Sequence, residues 1–174
     1  MNKAAATGLL SLALAACATT RQATPGSPEM AAPAAAGAGA AQPGQTLSRT
    51  QIMIDSATSM IGQPYRFGGA APGGFDCSGL VSYAAAAAGI RVPRTAAEQL
   101  QFGLPVVRGQ LQPGDLVFMH LAGKELHVAI ALDRQLFVHA PSSGGRVRID
   151  SLLAAPYANG FIAARRVISS VSSN

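Results

Sequence analysis

The sequence contains no tryptophan, only two cysteines and three histidines, and 12% charged residues. The cysteines and histidines lack the CxxC or HxxxH spacing of zinc sites, so we expect no metal and no cofactor. The formal net charge is +5, but the basic residues are scattered arginines without interleaved aromatics, a pattern that disfavours nucleic-acid binding. The charge favours an anionic partner but does not identify its class.

The chain also lacks an apolar run long enough to cross a bilayer. The N-terminal apolar stretch, Ala4 to Ala16, is shorter than the roughly 20 residues of a spanning helix. It follows a short basic start, as in an export signal. The run leads into Leu14-Ala15-Ala16-Cys17, which resembles the lipobox of bacterial lipoproteins. The resemblance implies that residues 1–17 hold a lipoprotein signal peptide with its lipid on Cys17. We therefore expect a lipid-anchored protein of the bacterial cell envelope, at the outer membrane and facing the periplasm.

Residues 18–46 are rich in alanine, proline and glycine and show no apolar periodicity. We predict a disordered tether, because its prolines oppose a continuous alanine-rich helix. The predicted folded domain occupies residues 47–174.

Within that domain, helical periodicity precedes strand periodicity. The pattern predicts helices over Arg49–Ile61, Asp76–Ala88 and Thr95–Phe102, with a glycine-rich loop over 63–74. It predicts strands over Asp115–Met119, Leu126–Leu132, Leu136–Ala140, Arg146–Asp150 and Gly160–Ile168. Strands this close in sequence must pair antiparallel. The fold class is therefore α+β, with the N-terminal helices packed on an antiparallel sheet.

Cys77 is the thiol that remains if Cys17 carries lipid. It follows Asp76, a predicted helix N-cap, so it begins its helix, where the unpaired amides and the helix dipole favour a thiolate. Those amides, together with Ser78, could also stabilise an oxyanion. The alternative is a small buried cysteine without a chemical role.

Two histidines on predicted strands complete a possible thiol site. His127 is the candidate base, and strand alternation places it on the face of Ala129 and Ala131, which we expect to pack against the helix of Cys77. His139 is the candidate residue that orients His127. His120, which ends a strand beside a turn, competes for either role.

Five segments, in this order and spacing, resemble the NlpC/P60 family of cell-wall cysteine peptidases: Pro64–Gly69, Gly74–Val81, Leu111–Phe118, His127–Ile130 and Phe137–Ala140. The resemblance implies a papain-like fold. It also implies that Cys77 is the nucleophile, His127 the base and His139 the third polar residue.

The resemblance extends to substrate contacts. It implies that Tyr65 lies near the cysteine and bonds the oxyanion or the substrate, and that Asp76 and Ser78 bind a free substrate amine. We therefore expect a peptidoglycan endopeptidase that cuts amide bonds in stem peptides or cross-links. The alternatives are a non-catalytic muropeptide-binding or scaffold lipoprotein, and an enzyme of acyl transfer on lipid. The sequence does not identify the bond cut, nor any wall-enzyme or regulatory partner.

Overall fold

The computed structural model describes residues 47–121, 125–143 and 145–168. The predicted signal peptide, Cys17 and the whole of the predicted tether lie outside these residues. Among the residues described, no helix is long and apolar enough to cross a membrane.

The described residues contain short helices whose ends follow local sequence signals. Ser48, Asp76 and Thr95 cap the first three helices through their side chains, and Thr95 forms the predicted capping box with Glu98. The helices are α1 (Arg49–Thr58), α2 (Cys77–Ala87), α3 (Ala96–Leu100) and α4 (Tyr157–Gly160). The first three lie inside the predicted ranges, whereas α4 was not predicted.

The strands form a small hairpin and one larger antiparallel sheet. The hairpin pairs β1 (Ala70–Ala71) with β2 (Gly74–Phe75) inside the predicted loop. The larger sheet has the order β3-β8-β4-β5-β6-β7, and its neighbouring strands pair antiparallel, as predicted. Its strands are β3 (Leu104–Val106), β4 (Leu116–His120), β5 (Leu126–Ala131), β6 (Leu136–His139), β7 (Arg148–Ser151) and β8 (Phe161–Arg166). The predicted α+β class is confirmed.

Both faces of the sheet are buried, each against a different apolar cluster. On one face, Val128 and Ile130 of β5 pack with the buried residues of α1 and α2. On the other face, Ala129 and Ala131 pack with a cluster that includes Phe137 and Tyr157. This burial on two sides explains why β5 is apolar along almost its whole length.

The predicted orientation of β5 was wrong. We expected the face of His127, Ala129 and Ala131 to receive the helix of Cys77, but that helix packs on Val128 and Ile130. Alternation assigns residues to two faces correctly, yet it cannot say which face meets the helix when both are covered.

The glycine-rich loop lies directly against the start of α2. The amide of Asp76 donates to the carbonyl of Gly69 over 3.0 Å. A Cβ atom on Gly79 would overlap that same carbonyl oxygen, so glycine is needed there for the close approach. The contact fixes the loop beside Cys77.

Candidate active site

Cys77 is the first residue of α2, as the sequence predicts. The Asp76 side chain caps the helix by accepting a hydrogen bond of 2.6 Å from the Gly79 amide. The Cys77 sulfur receives backbone hydrogen bonds from Val128 and Ser78, so the thiol lies against β5, one residue from His127. The fold therefore brings the predicted nucleophile to the strand that carries the predicted base.

The ionisation of Cys77 differs from the expectation. Burial raises the pKa of the Cys77 thiol, and the charges of Asp76 and Glu125 act in the same direction. The hydrogen bonds from Val128 and Ser78 offset only part of this effect. The thiol therefore keeps its proton at neutral pH, although it lies at the helix N-terminus. Cys77 needs a base to accept its proton.

His127 and His139 form a buried pair on neighbouring strands. The Nε2 atom of His127 lies 2.8 Å from the Nδ1 atom of His139, and the two rings meet edge to face. Burial, followed by the charges of His139 and Arg148, lowers the pKa of His127 to about 3. Burial also lowers the pKa of His139 to about 4, although its contact with Asp150 acts in the opposite direction. Both rings are therefore neutral at rest, and His127 is free to accept a proton.

The row of polar side chains continues to Asp150 on β7, which the sequence analysis missed. Its Oδ2 atom lies 2.9 Å from Nε2 of His139 and accepts hydrogen bonds from Arg148 and Tyr157. The available signal was the spacing of Arg148 and Asp150, two polar residues on one face of the strand that follows His139.

Asp76 and Ser78 belong to a second polar network that the sequence did not reveal. Arg94 donates to both oxygens of Asp76, over 3.1 and 2.7 Å, and to the Ser78 hydroxyl over 3.1 Å. Asp76 also accepts from the amides of Gly68 and Gly79. Both of its oxygens are thus engaged within the protein, which favours a structural role at the helix start.

An open cleft of about 460 Å³ lies over Cys77. Tyr65 lines it, and burial raises the pKa of the Tyr65 hydroxyl, with the charges of Cys77, Glu125 and Asp76 adding to the effect. The hydroxyl therefore keeps its proton at neutral pH and can donate a hydrogen bond. The remaining lining residues are Phe67, Gly68, Asp76, Ser78, Arg94, Thr95, Glu125 and Leu126.

The structure places His120 elsewhere. It is exposed at the end of β4 and lines a different cavity, with Leu121, Pro156 and Asn159. Within residues 47–121, 125–143 and 145–168, no group of three or more His, Cys, Asp or Glu side chains is placed to hold a metal ion.

A thiol at a helix start, an antiparallel sheet and a hydrogen-bonded histidine pair together define a class of papain-like α+β proteins. Residues 62–166 match the NlpC/P60 family, and the chain belongs to that family.

Known proteins agree with this assignment. The murein DD-endopeptidase MepH of Escherichia coli is 38% identical over 125 residues, which cover 68% of this chain and 46% of MepH. A Staphylococcus aureus NLP/P60-family structure described as similar to lipoprotein is 38% identical, with TM-score 0.61, and the match covers 70% of this chain and 42% of that one. The peptidoglycan hydrolase RipB of Mycobacterium tuberculosis is 30% identical, with TM-score 0.61, over 70% of this chain and 65% of that one. The chain thus spans less than half of the length of MepH.

Proposed function

We propose that this protein is a peptidoglycan endopeptidase in which Cys77 is the nucleophile, His127 the base and His139 the residue that orients His127. The observation that carries the proposal is the neutral His127–His139 pair on the strands beside the Cys77 thiol. A neutral imidazole next to a protonated thiol is what a general base requires. The substrate follows from the relatives, since MepH is named for murein and RipB for peptidoglycan.

The reaction begins when His127 takes the proton of Cys77 and the sulfur attacks the carbonyl carbon of a stem-peptide or cross-link amide. The negative charge that develops on the carbonyl oxygen is stabilised by the Tyr65 hydroxyl and by the amide of Cys77, because the amides of Ser78 and Gly79 already donate to Cys77 and Asp76. His127 then returns the proton to the leaving amine. Water hydrolyses the thioester and restores the thiol. No step requires a metal or a cofactor.

Substrate contacts by Asp76 and Ser78 stay a prediction. Their hydrogen bonds to Arg94 support a role in holding the cleft wall together and in presenting the guanidinium beside Cys77. Tyr65 is the predicted contact that the geometry supports best, because it lines the cleft and retains its proton.

The experiment is digestion of purified sacculi and defined muropeptides by the full-length chain carrying Cys17→Ser, with products identified by mass spectrometry. We expect a new product whose mass identifies the bond cut. Cys77→Ala should abolish it, and His127→Ala should reduce it by about 10³-fold or more. His120→Ala is the matched control, since it removes a histidine from another cavity. Unchanged product formation by Cys77→Ala would contradict the proposal.

We further propose that residues 1–17 are a signal peptide, that Cys17 carries the lipid, that residues 18–46 tether the domain and that residues 47–174 form the catalytic domain. The lipobox-like sequence and the S. aureus relative described as similar to lipoprotein support the lipid anchor. We propose the outer membrane as its location. Metabolic labelling with a fatty acid tests it. Label should enter the protein and fractionate with outer membrane, and Cys17→Ser should lose the label. Labelling that survives in Cys17→Ser would refute the anchor.

A further inference from the structure

Asp150 lies at the end of a polar row that crosses neighbouring strands. The register of β6 and β7 pairs Phe137 with Asp150 and His139 with Arg148, which places their side chains on the face of His127. The row runs from Nε2 of His127 to Nδ1 of His139 over 2.8 Å, and from Nε2 of His139 to Oδ2 of Asp150 over 2.9 Å. His139 is completely buried, so water cannot replace these partners.

Two further donors reach the same oxygen of Asp150 as His139 does. Arg148 donates from Nε over 2.8 Å and the Tyr157 hydroxyl donates over 2.6 Å, both to Oδ2. Burial alone would raise the pKa of Asp150, but the hydrogen bonds from Tyr157, Arg148 and His139 outweigh it and hold the pKa below its usual range. Asp150 is therefore an ionised carboxylate, which can accept hydrogen bonds but cannot donate them.

This restriction determines where the protons lie on both rings. Because Asp150 only accepts, Nε2 of His139 must carry a hydrogen. A neutral imidazole has a single N–H group, so Nδ1 of His139 is an acceptor. The contact of 2.8 Å then requires that Nε2 of His127 donates to it. The nitrogen left without a proton on His127 is Nδ1, which is therefore the atom of this ring that can accept one.

We propose that Asp150 is a positioning residue that acts through His139 to keep Nδ1 of His127 unprotonated and ready to accept the proton of Cys77. The inference rests on the proposed thiol mechanism. The proton moves from sulfur to Nδ1 of His127, and the resulting imidazolium keeps its Nε2–H bond to His139. No proton needs to reach Asp150, whose charge stabilises the imidazolium through the intervening ring. The positive charge of Arg148 disfavours the imidazolium of His127. The hydrogen bond from Arg148 to the negative Asp150 offsets part of that repulsion.

The tautomers can be observed directly by nitrogen-15 NMR of the histidine rings in the full-length protein carrying Cys17→Ser. The chain has three histidines, and His120→Ala assigns the signals by removing one set. We expect His127 and His139 both to carry their hydrogen on Nε2 at neutral pH. A His127 ring protonated on Nδ1 would overturn the proposal, and this measurement needs neither a substrate nor an Asp150 variant that folds.

Asp150→Asn tests the consequence for reactivity. The amide can donate to His139 as well as accept from it, so it no longer imposes one tautomer. We expect kcat to fall by about 10- to 10³-fold with little change in KM. We also expect the inflection in the rate of Cys77 alkylation against pH to move upward by about one pH unit, because a buried thiol that lacks an effective base loses its proton only at higher pH. Reduced folding stability alone would not move that inflection in the folded protein.

Asp133→Asn provides the matched control, since that carboxylate accepts amide bonds from Gln135 and Leu136 in the β5–β6 turn. It should leave kcat and the alkylation profile unchanged. Tyr157→Phe keeps the Asp150 carboxylate and should reduce kcat less than Asp150→Asn does. If the parent chain cleaves muropeptides and Asp150→Asn matches it in kcat and alkylation, the inference on Asp150 fails alone. If the parent cleaves nothing, the proposed function fails, while the alkylation profile and the tautomers still decide the role of Asp150.

Discussion

Replacing Gly79 with alanine tests whether the close approach of the glycine-rich loop to α2 positions Cys77. The added Cβ would overlap the carbonyl oxygen of Gly69, a backbone atom that cannot rotate away. The loop or the helix start must therefore withdraw by about 1 Å, and misplacement of that size at a reacting group costs about 10²-fold in rate. We expect kcat/KM for muropeptide cleavage to fall by about that factor.

Stability should change less than activity does. Overpacking costs about 1–3 kcal/mol, but alanine is the better helix former by about 1 kcal/mol, so the two effects partly cancel. Urea unfolding should show Gly79→Ala destabilised by about 1–2 kcal/mol. Gly109→Ala is the matched control, because a Cβ there meets nothing within 4 Å. A Gly79→Ala protein with parental activity and stability would refute this reasoning.

Three further predictions concern ionisation and hydrogen bonding in the cleft. Burial would raise the pKa of Asp76, but hydrogen bonds from Arg94, Gly79 and Ser78 outweigh it and lower the pKa. Its folded pKa thus lies below its unfolded one, so the stabilisation is complete above about pH 4 and is lost as pH falls through the folded pKa. Urea titrations at several pH values should show that loss of stability in the parent. Asp76→Asn should be less stable than the parent at pH 7 and should not show the loss at low pH. Tyr65→Phe should lower kcat by about 10- to 10²-fold with little change in melting temperature, since it removes an oxyanion donor; an unchanged kcat would exclude that role. His127→Ala should shift the inflection of Cys77 alkylation by iodoacetamide to higher pH, because burial raises the thiol pKa once its base is gone; an unmoved inflection would show that His127 is not the base.

The sequence was sufficient wherever a local signal fixed a local structure. Asp76 is an N-cap and Cys77 begins its helix because a short side chain with a free oxygen satisfies the first amides. The capping box at Thr95 has the same origin. The strands carrying His127 and His139 were predicted from their periodicity. Their antiparallel pairing followed from the short connection between them, which is too short for a parallel crossover.

The missed elements depend on contacts between distant residues. The β1–β2 hairpin has only two residues in each strand, and β3 contains Pro105, which is tolerated because β3 lies at the edge of the sheet. The strands of both elements are too short to show the alternation that predicts a β-strand from sequence. The contact of Arg94 with Asp76 joins side chains 18 positions apart, and the contact of Asp150 with His139 depends on the β6–β7 register. Only the folded chain supplies those distances.

The central claim is that the thiol of Cys77 performs the cleavage. In the full-length Cys17→Ser protein Cys77 is the sole cysteine, so alkylation by iodoacetamide modifies one thiol. The measurement is the fraction of protein alkylated, by intact mass, against the fraction of muropeptide-cleaving activity that remains. The account predicts that activity falls in proportion to alkylation and reaches zero when every Cys77 is modified. Activity that persists in fully alkylated protein would contradict it.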